Sequence, residues 1–111
     1  MSPPPPLPEL THLQFLVLGL LLGSEQSGRV LRRELARMRL RRTGPAFYQM
    51  MARIEDAGWV DGFYTQQIVD GQIIKERWYR PTPKGVRAWT AARDFYLQTA
   101  ERLGRQGVVH A

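Results

Sequence analysis

Residues 63–80 read FYTQQIVDGQIIKERWYR, and their side chains repeat with a period of two rather than of three or four. A period of two is typical of β-strands, and the Asp-Gly pair at 70–71 suits a type I′ hairpin turn. With that turn, Tyr64 lies opposite Arg77 on one face of the ribbon. The stretch therefore predicts a two-stranded hairpin.

The first of three helices before the hairpin is predicted from Thr11 to about Leu22. Thr11 and Gln14 match a capping box, and Gly23 is a typical stop. Apolar residues surround nearly the whole helix, so it needs neighbours on more than one side. A chain of 111 residues can hardly enclose it, so we expect a second subunit to cover part of it.

The second and third helices are predicted at about 28–38 and 45–57, and both are amphipathic. The second places its arginines opposite its apolar residues. In the third, which follows a Thr-Gly-Pro start at 43–45, Gln49 and Arg53 face outward.

The last helix is predicted at 83–104, with Thr82 as its N-cap. Its apolar stripe is longer than a small core requires, which is a second argument for a dimer. The residues expected at the dimer interface are Phe15, Leu18, Leu22, Trp89, Tyr96, Ala100 and Leu103. Trp89 offers a flat surface for a small aromatic ligand at that interface, and packing in the core is the alternative.

The net charge of +6 comes from one window of the sequence. Residues 29–42 contain seven arginines and one acid, whereas bases and acids cancel over the rest of the chain. Such a window favours a polyanion as partner, although a solvated helix face is the plainer reading. With no cysteine and two histidines far apart, disulfides, zinc sites and cysteine nucleophiles have no basis.

The two ends of the chain are predicted to lie outside the folded domain. Residues 1–9 form a proline-rich arm expected to be flexible, and residues 105–111 are expected to be a frayed tail. No apolar run is long enough to span a membrane. The N-terminus lacks the features of a signal peptide, so the sequence predicts a cytoplasmic protein.

Four segments, taken in order, resemble PadR-like transcriptional regulators. They are LTHLQFLVL at 10–18, GPAFY at 44–48, ARIEDAGWV at 52–60 and RWYRPTPKG at 77–85. The resemblance covers roughly residues 10–103. No single segment is decisive, but their order and spacing together are fairly specific.

The resemblance implies an α+β, mostly helical winged helix-turn-helix in a homodimeric repressor. It assigns residues 10–82 to the DNA-binding domain and 83–104 to a dimerisation helix. The third helix enters the major groove and the hairpin, 63–80, is the wing on the DNA backbone. The family often has basic residues where this chain has Gln49 and Ala52, and we expect the upstream arginines to supply that charge.

Seven residues are the candidates for DNA contact: Arg41, Arg42, Tyr48, Gln49, Arg53, Lys75 and Arg77. Gln49 and Arg53 suit base recognition, because glutamine pairs bidentately with adenine and arginine with guanine. Arg41 and Arg42 precede the positive end of the third helix and suit phosphate contact. The alternatives are solvated side chains, with Arg53 paired to Asp56 or Asp61.

Two functions from different classes fit the pattern. The first is a homodimeric, sequence-specific DNA-binding transcriptional regulator, expected to be a repressor that needs no cofactor. The second is a winged helix that binds another protein through the proline-rich arm or the arginine face. An enzyme is not expected, because the neighbouring carboxylates of Glu55 and Asp56 point apart and no nucleophile or metal cluster accompanies them.

Overall fold

The computed structural model describes residues 7–109, which form four helices and three strands. In chain order these are α1 (His12–Leu21), β1 (Gln26–Ser27), α2 (Gly28–Arg37), α3 (Gly44–Asp56), β2 (Val60–Val69), β3 (Gln72–Pro81) and α4 (Pro83–Val109). Three helices, a hairpin and a final helix make a winged helix-turn-helix, which confirms the predicted α+β, mostly helical fold.

The helices begin where the sequence predicts, because side-chain caps satisfy their first N–H groups. In α1 the Thr11 hydroxyl accepts a hydrogen bond from the Gln14 N–H at 3.1 Å, and the Gln14 side chain accepts one from the Thr11 N–H at 3.0 Å. Thr43 caps α3 in a similar way. Thr82 caps α4 through a 3.0 Å bond from the Gly85 N–H.

The hairpin has the predicted register, with Tyr64 opposite Arg77. Its turn residues Asp70 and Gly71 both have positive φ, 52° and 76°, as a type I′ turn requires. The strands begin at Val60, three residues before the predicted wing. The sequence did not predict β1, whose two residues pair with β3 and add a third strand to the sheet.

One core joins α1, α2, α3, the base of the sheet and α4. The buried apolar residues are Leu10, Val17, Leu18, Leu21, Leu31, Leu35, Phe47, Met51, Ile54, Val60, Tyr79 and Ala92. Leu18 has no exposed surface in the single chain. The expectation that Leu18 lies at a dimer interface is therefore wrong, because the other helices of its own chain already cover it.

The C-terminal helix is longer than predicted. It continues to Val109, so residues 105–109 are helical rather than a frayed tail, and 110–111 lie outside the described residues. Gly104 does not end the helix, because its backbone lacks the left-handed conformation of a glycine stop. Residues 1–6 of the predicted arm also lie outside the described residues. No helix within 7–109 is long and apolar enough to cross a membrane.

Candidate nucleic-acid interface

Helix α3 presents a polar face to solvent because its opposite face is buried. Phe47, Met51 and Ile54 have no exposed surface. Gln49 and Arg53 are exposed and one turn apart. Among the described residues, no carboxylate lies within 4.0 Å of Arg53, so the ion pair with Asp56 or Asp61 that was the alternative to DNA contact is absent.

The loop between α2 and α3 starts with a strained residue. Arg39 has a φ of 62°, in the left-handed region that glycine favours. The Leu40 N–H donates to the Leu35 carbonyl oxygen at 2.8 Å, which completes a Schellman ending of α2. This ending directs the chain into the exposed pair Arg41 and Arg42.

Three arginines lie around the N-terminus of α3. Arg41 and Arg42 directly precede its cap, and Arg32 reaches over from α2 to within 3.7 Å of where a Cβ on Gly44 would lie. The N-terminal end of a helix carries partial positive charge from its unpaired N–H groups. Helix and side chains therefore attract an anion such as a phosphate to the same place.

A cleft of about 530 Å³ separates α3 from the hairpin. It is lined by Tyr48, Ala52 and Glu55 of α3 and by Tyr64, Lys75, Arg77 and Tyr79 of the strands. The three α3 residues follow a spacing of four and three, so they form one side of the helix. The cleft thus opens beside the face that carries Gln49 and Arg53.

The two cations predicted for the wing differ in their surroundings. Lys75 is exposed, lies 5.5 Å from the centre of the Tyr64 ring, and has no carboxylate partner among the described residues. Arg77 is 25% exposed and donates to both carboxylate oxygens of Glu55, at 2.7 and 2.9 Å. Burial lowers the pKa of Arg77, but the hydrogen bonds and charges of Glu55 and Tyr79 together outweigh this effect and raise the pKa overall.

Tyr48 stands at the inner edge of the cleft. Its ring packs edge-on against Phe47, with the ring centres 5.0 Å apart. Its hydroxyl oxygen lies 2.8 Å from where a Cβ on Gly28 would be, so the glycine makes room for it. The residue is 40% exposed, which leaves Tyr48 accessible from the cleft. At the floor, burial raises the pKa of the Tyr79 hydroxyl.

The residues predicted for the dimer interface separate into packed and exposed groups. Phe15 stacks on Trp89 within the chain, with ring centres 5.4 Å apart, and also contacts Tyr96. Phe15 thus covers one face of Trp89, and an aromatic ligand there stays a prediction. Leu22, Ala100 and Leu103 are exposed. Leu97, which was not among the residues predicted for the interface, is 63% exposed.

The role of Glu55 was not predicted from the sequence. Glu55 and Asp56 were weighed only as neighbouring carboxylates that point apart, whereas in the structure Glu55 accepts hydrogen bonds from Arg77 across the cleft. The alternation of strand residues, with Arg77 on the same face as Tyr64, was the available signal. Within the described residues, no three acidic or histidine side chains are grouped so as to hold a metal ion.

Comparison with known proteins agrees with this architecture. No family model matches the sequence, and no curated protein is significantly similar to it. Solved structures do match. A transcriptional regulator from Clostridium thermocellum has a TM-score of 0.68 at 16% identity, covering 85% of this chain and 88% of its own.

Two further matches are PadR proteins. A PadR family transcriptional regulator from Eggerthella lenta has a TM-score of 0.66 at 21% identity, covering 85% of this chain and 80% of its own. PadR from Bacillus subtilis, in complex with operator DNA, has a TM-score of 0.61 at 19% identity, covering 72% of this chain and 46% of its own. The resemblance seen in the sequence is confirmed for the fold.

Proposed function

We propose that this chain is a PadR-like transcriptional regulator, a cytoplasmic homodimer that binds specific DNA sequences and acts as a repressor. One observation carries the proposal: within the part of the chain that the structure describes, α3 exposes a face without ion pairs, and cations without carboxylate partners stand on both sides of it. Arg41 and Arg42 precede its N-terminus, and Lys75 lies across the cleft. The match to a PadR in complex with operator DNA supports the same use of the fold.

Sequence is read by α3 in the major groove. Gln49 and Arg53 are exposed on one side of the helix and one turn apart, so they reach neighbouring base pairs. Bidentate hydrogen bonds pair glutamine with adenine and arginine with guanine, and each correct pair contributes about 1–3 kcal/mol of discrimination.

Affinity comes from phosphate contacts on either side of α3. Arg41 and Arg42, together with the helix N-terminus, bind one part of the backbone. Lys75 and the Tyr48 hydroxyl bind another part beside the cleft. These contacts orient the protein on the duplex without distinguishing sequences.

Dimerisation follows from the apolar surface left on α4. Leu97 is 63% and Leu103 is 59% exposed on a helix of 27 residues, and Leu22, the C-cap of α1, is also exposed. A second copy that covers these side chains removes their apolar surface from water. A two-fold pair then presents two copies of α3 to two half-sites.

The proposal is tested by measuring duplex binding by fluorescence anisotropy at several salt concentrations. A protein that neutralises about five to eight phosphates gives a slope of about −4.5 to −7 for log affinity against log salt. The variant Arg41→Gln/Arg42→Gln is expected to lower the magnitude of the slope by about 1.8. A wild-type slope near zero would contradict DNA binding.

A protein-interaction module is favoured by one different observation. Ile68 and Ile73 face each other across the hairpin tip and are 77% and 71% exposed, and exposed apolar patches often mark protein contacts. Co-purification of one protein partner, with no duplex bound at low salt, would support this second function. If DNA binding is the function, Ile73→Ser leaves duplex affinity unchanged.

A further inference from the structure

We propose that Glu55 and Arg77 form a strut that fixes the width of the cleft between α3 and the hairpin, so that the cleft admits one sugar–phosphate strand of duplex DNA. Arg77 is then a positioning residue, and Lys75 makes the phosphate contact on this side. The inference rests on the proposed function, because it describes how the same surface holds DNA.

The shape of a DNA duplex places a backbone strand between α3 and the hairpin. One sugar–phosphate strand separates the major groove from the minor groove beside it. If α3 lies in the major groove and the hairpin lies on the other side of this strand, the strand passes between α3 and the hairpin. The space there is the cleft of about 530 Å³, with Lys75 on its wall.

The ion pair joins the two walls of this cleft directly. Nη2 of Arg77 lies 2.7 and 2.9 Å from the two carboxylate oxygens of Glu55, and so connects β3 to α3 across 22 residues of sequence. The two side chains are 25% and 30% exposed. Their partial burial reduces solvent screening relative to the exposed pairs of this surface, so the pair restrains the hairpin.

Gly62 on β2 leaves the space that the pair occupies. A Cβ at this position would lie 2.5 Å from Nη2 of Arg77 and 2.7 Å from Oε1 of Glu55. Both distances are too short for non-bonded atoms, so any side chain at this position displaces the ion pair. The displaced atoms are the ends of flexible side chains, which can move without unfolding the domain.

For removal of the Glu55 carboxylate, the strut and a simple charge effect predict opposite changes in DNA affinity. A carboxylate beside a phosphate strand repels it, so loss of the charge alone would tighten DNA binding. A strut, in contrast, keeps Lys75 at the strand, so its loss weakens binding. The sign of the change therefore separates the two roles.

The first test measures the affinity of Glu55→Ala for duplex DNA at several salt concentrations. The strut predicts about three- to tenfold weaker binding. It also predicts a salt slope smaller in magnitude by about 0.9, because one phosphate contact is lost. Binding equal to or tighter than that of the wild type overturns the strut.

The second test, Gly62→Ala, changes the geometry and keeps every charge. We expect weaker binding, as for Glu55→Ala, and a hydroxyl-radical footprint that loses protection of the strand in the cleft but keeps the major-groove contacts. Wild-type affinity for this variant overturns the strut. Circular dichroism and thermal unfolding verify that both variants fold.

The matched control is Asp61→Asn, which removes an acid from an exposed pair on the same hairpin. Asp61 and Arg80 lie 4.0 Å apart and are 64% and 56% exposed, so this variant is expected to bind at least as tightly as the wild type. If the wild type binds DNA and both strut variants bind it with the same affinity as the wild type, the strut is wrong and the proposed function stands. If the wild type binds no duplex, the proposed function and the strut are both wrong.

Discussion

The proposed function gives Arg53 and Arg41 different tasks because they differ in position. Arg53 lies on the outward face beside Gln49, where base edges would be read, whereas Arg41 lies before the helix, where phosphates would be bound. Base contacts carry sequence information and phosphate contacts do not. The roles can therefore be separated by substitution.

We expect Arg53→Ala to reduce the ratio of specific to random duplex affinity by about 1–3 kcal/mol, the contribution of one bidentate base contact. Arg41→Ala is expected to weaken specific and random duplexes equally. Competition binding with both duplexes measures the two ratios. Equal losses on specific and random duplex for both variants would refute this division.

The sequence predicted which charged residues this surface contains, but not which of them form ion pairs. Residues 29–42 hold the arginine excess, but sequence treats those side chains alike. In the structure Arg29 pairs with Glu76 at 3.1 Å and Arg37 with Glu34 at 3.0 Å, whereas Arg41 and Arg42 remain exposed. Since Arg29 and Glu76 are 47 residues apart, no local pattern reveals their contact.

At the scale of elements, the features set by local sequence signals were predicted well, whereas the features that depend on tertiary contacts were not. Capping by Thr11 and the turn at 70–71 are short-range effects, and both were predicted. β1 has two residues, too few for any periodicity, and forms because β3 offers a free edge. The Glu55–Arg77 bond also depends on folding, since it joins a helix to a strand.

The end of α2 gives a prediction about stability. Arg39 occupies the left-handed position of the Schellman ending, where a side chain costs about 1 kcal/mol relative to glycine. We therefore expect Arg39→Gly to raise the free energy of unfolding by about 0.5–1 kcal/mol. Denaturation by urea measures this change.

Arg37→Gly is the matched control, because it removes the same charge at the last helical residue of α2, together with its ion pair to Glu34. Glycine at a residue with helical backbone lowers stability by up to about 1 kcal/mol. If Arg39→Gly is destabilising to the same degree as Arg37→Gly, the strain assigned to Arg39 is refuted.

At the scale of the whole molecule, the chain is elongated because α4 extends beyond the core. Its dimensions are 64 × 29 × 23 Å, and the outer part of α4 exposes Leu97 and Leu103. The sequence predicted that apolar surface would be left for a partner. It placed Leu18 at the dimer interface instead of in the core, because periodicity alone does not tell which neighbour covers a side chain.

The proposed dimer predicts how charged substitutions on α4 change the oligomeric state. Leu97→Glu/Leu103→Glu is expected to give a monomer in analytical ultracentrifugation, since two buried carboxylates would lack partners at the interface. Affinity for a palindromic duplex then falls to that of a single half-site. Ile73→Glu at the exposed hairpin tip is the control and is expected to leave the dimer intact. A double variant that stays dimeric would exclude this outer part of α4 as the interface.

Selection from a pool of random duplexes with the purified protein, followed by sequencing, examines DNA recognition by a two-fold pair most directly. We predict enrichment of a palindrome whose half-sites lie about one helical turn apart, as two copies of α3 require. Arg53→Ala is predicted to lose the preference at one position of each half-site. A pool that shows no enriched sequence, or duplexes that are not retained at all, would contradict the account.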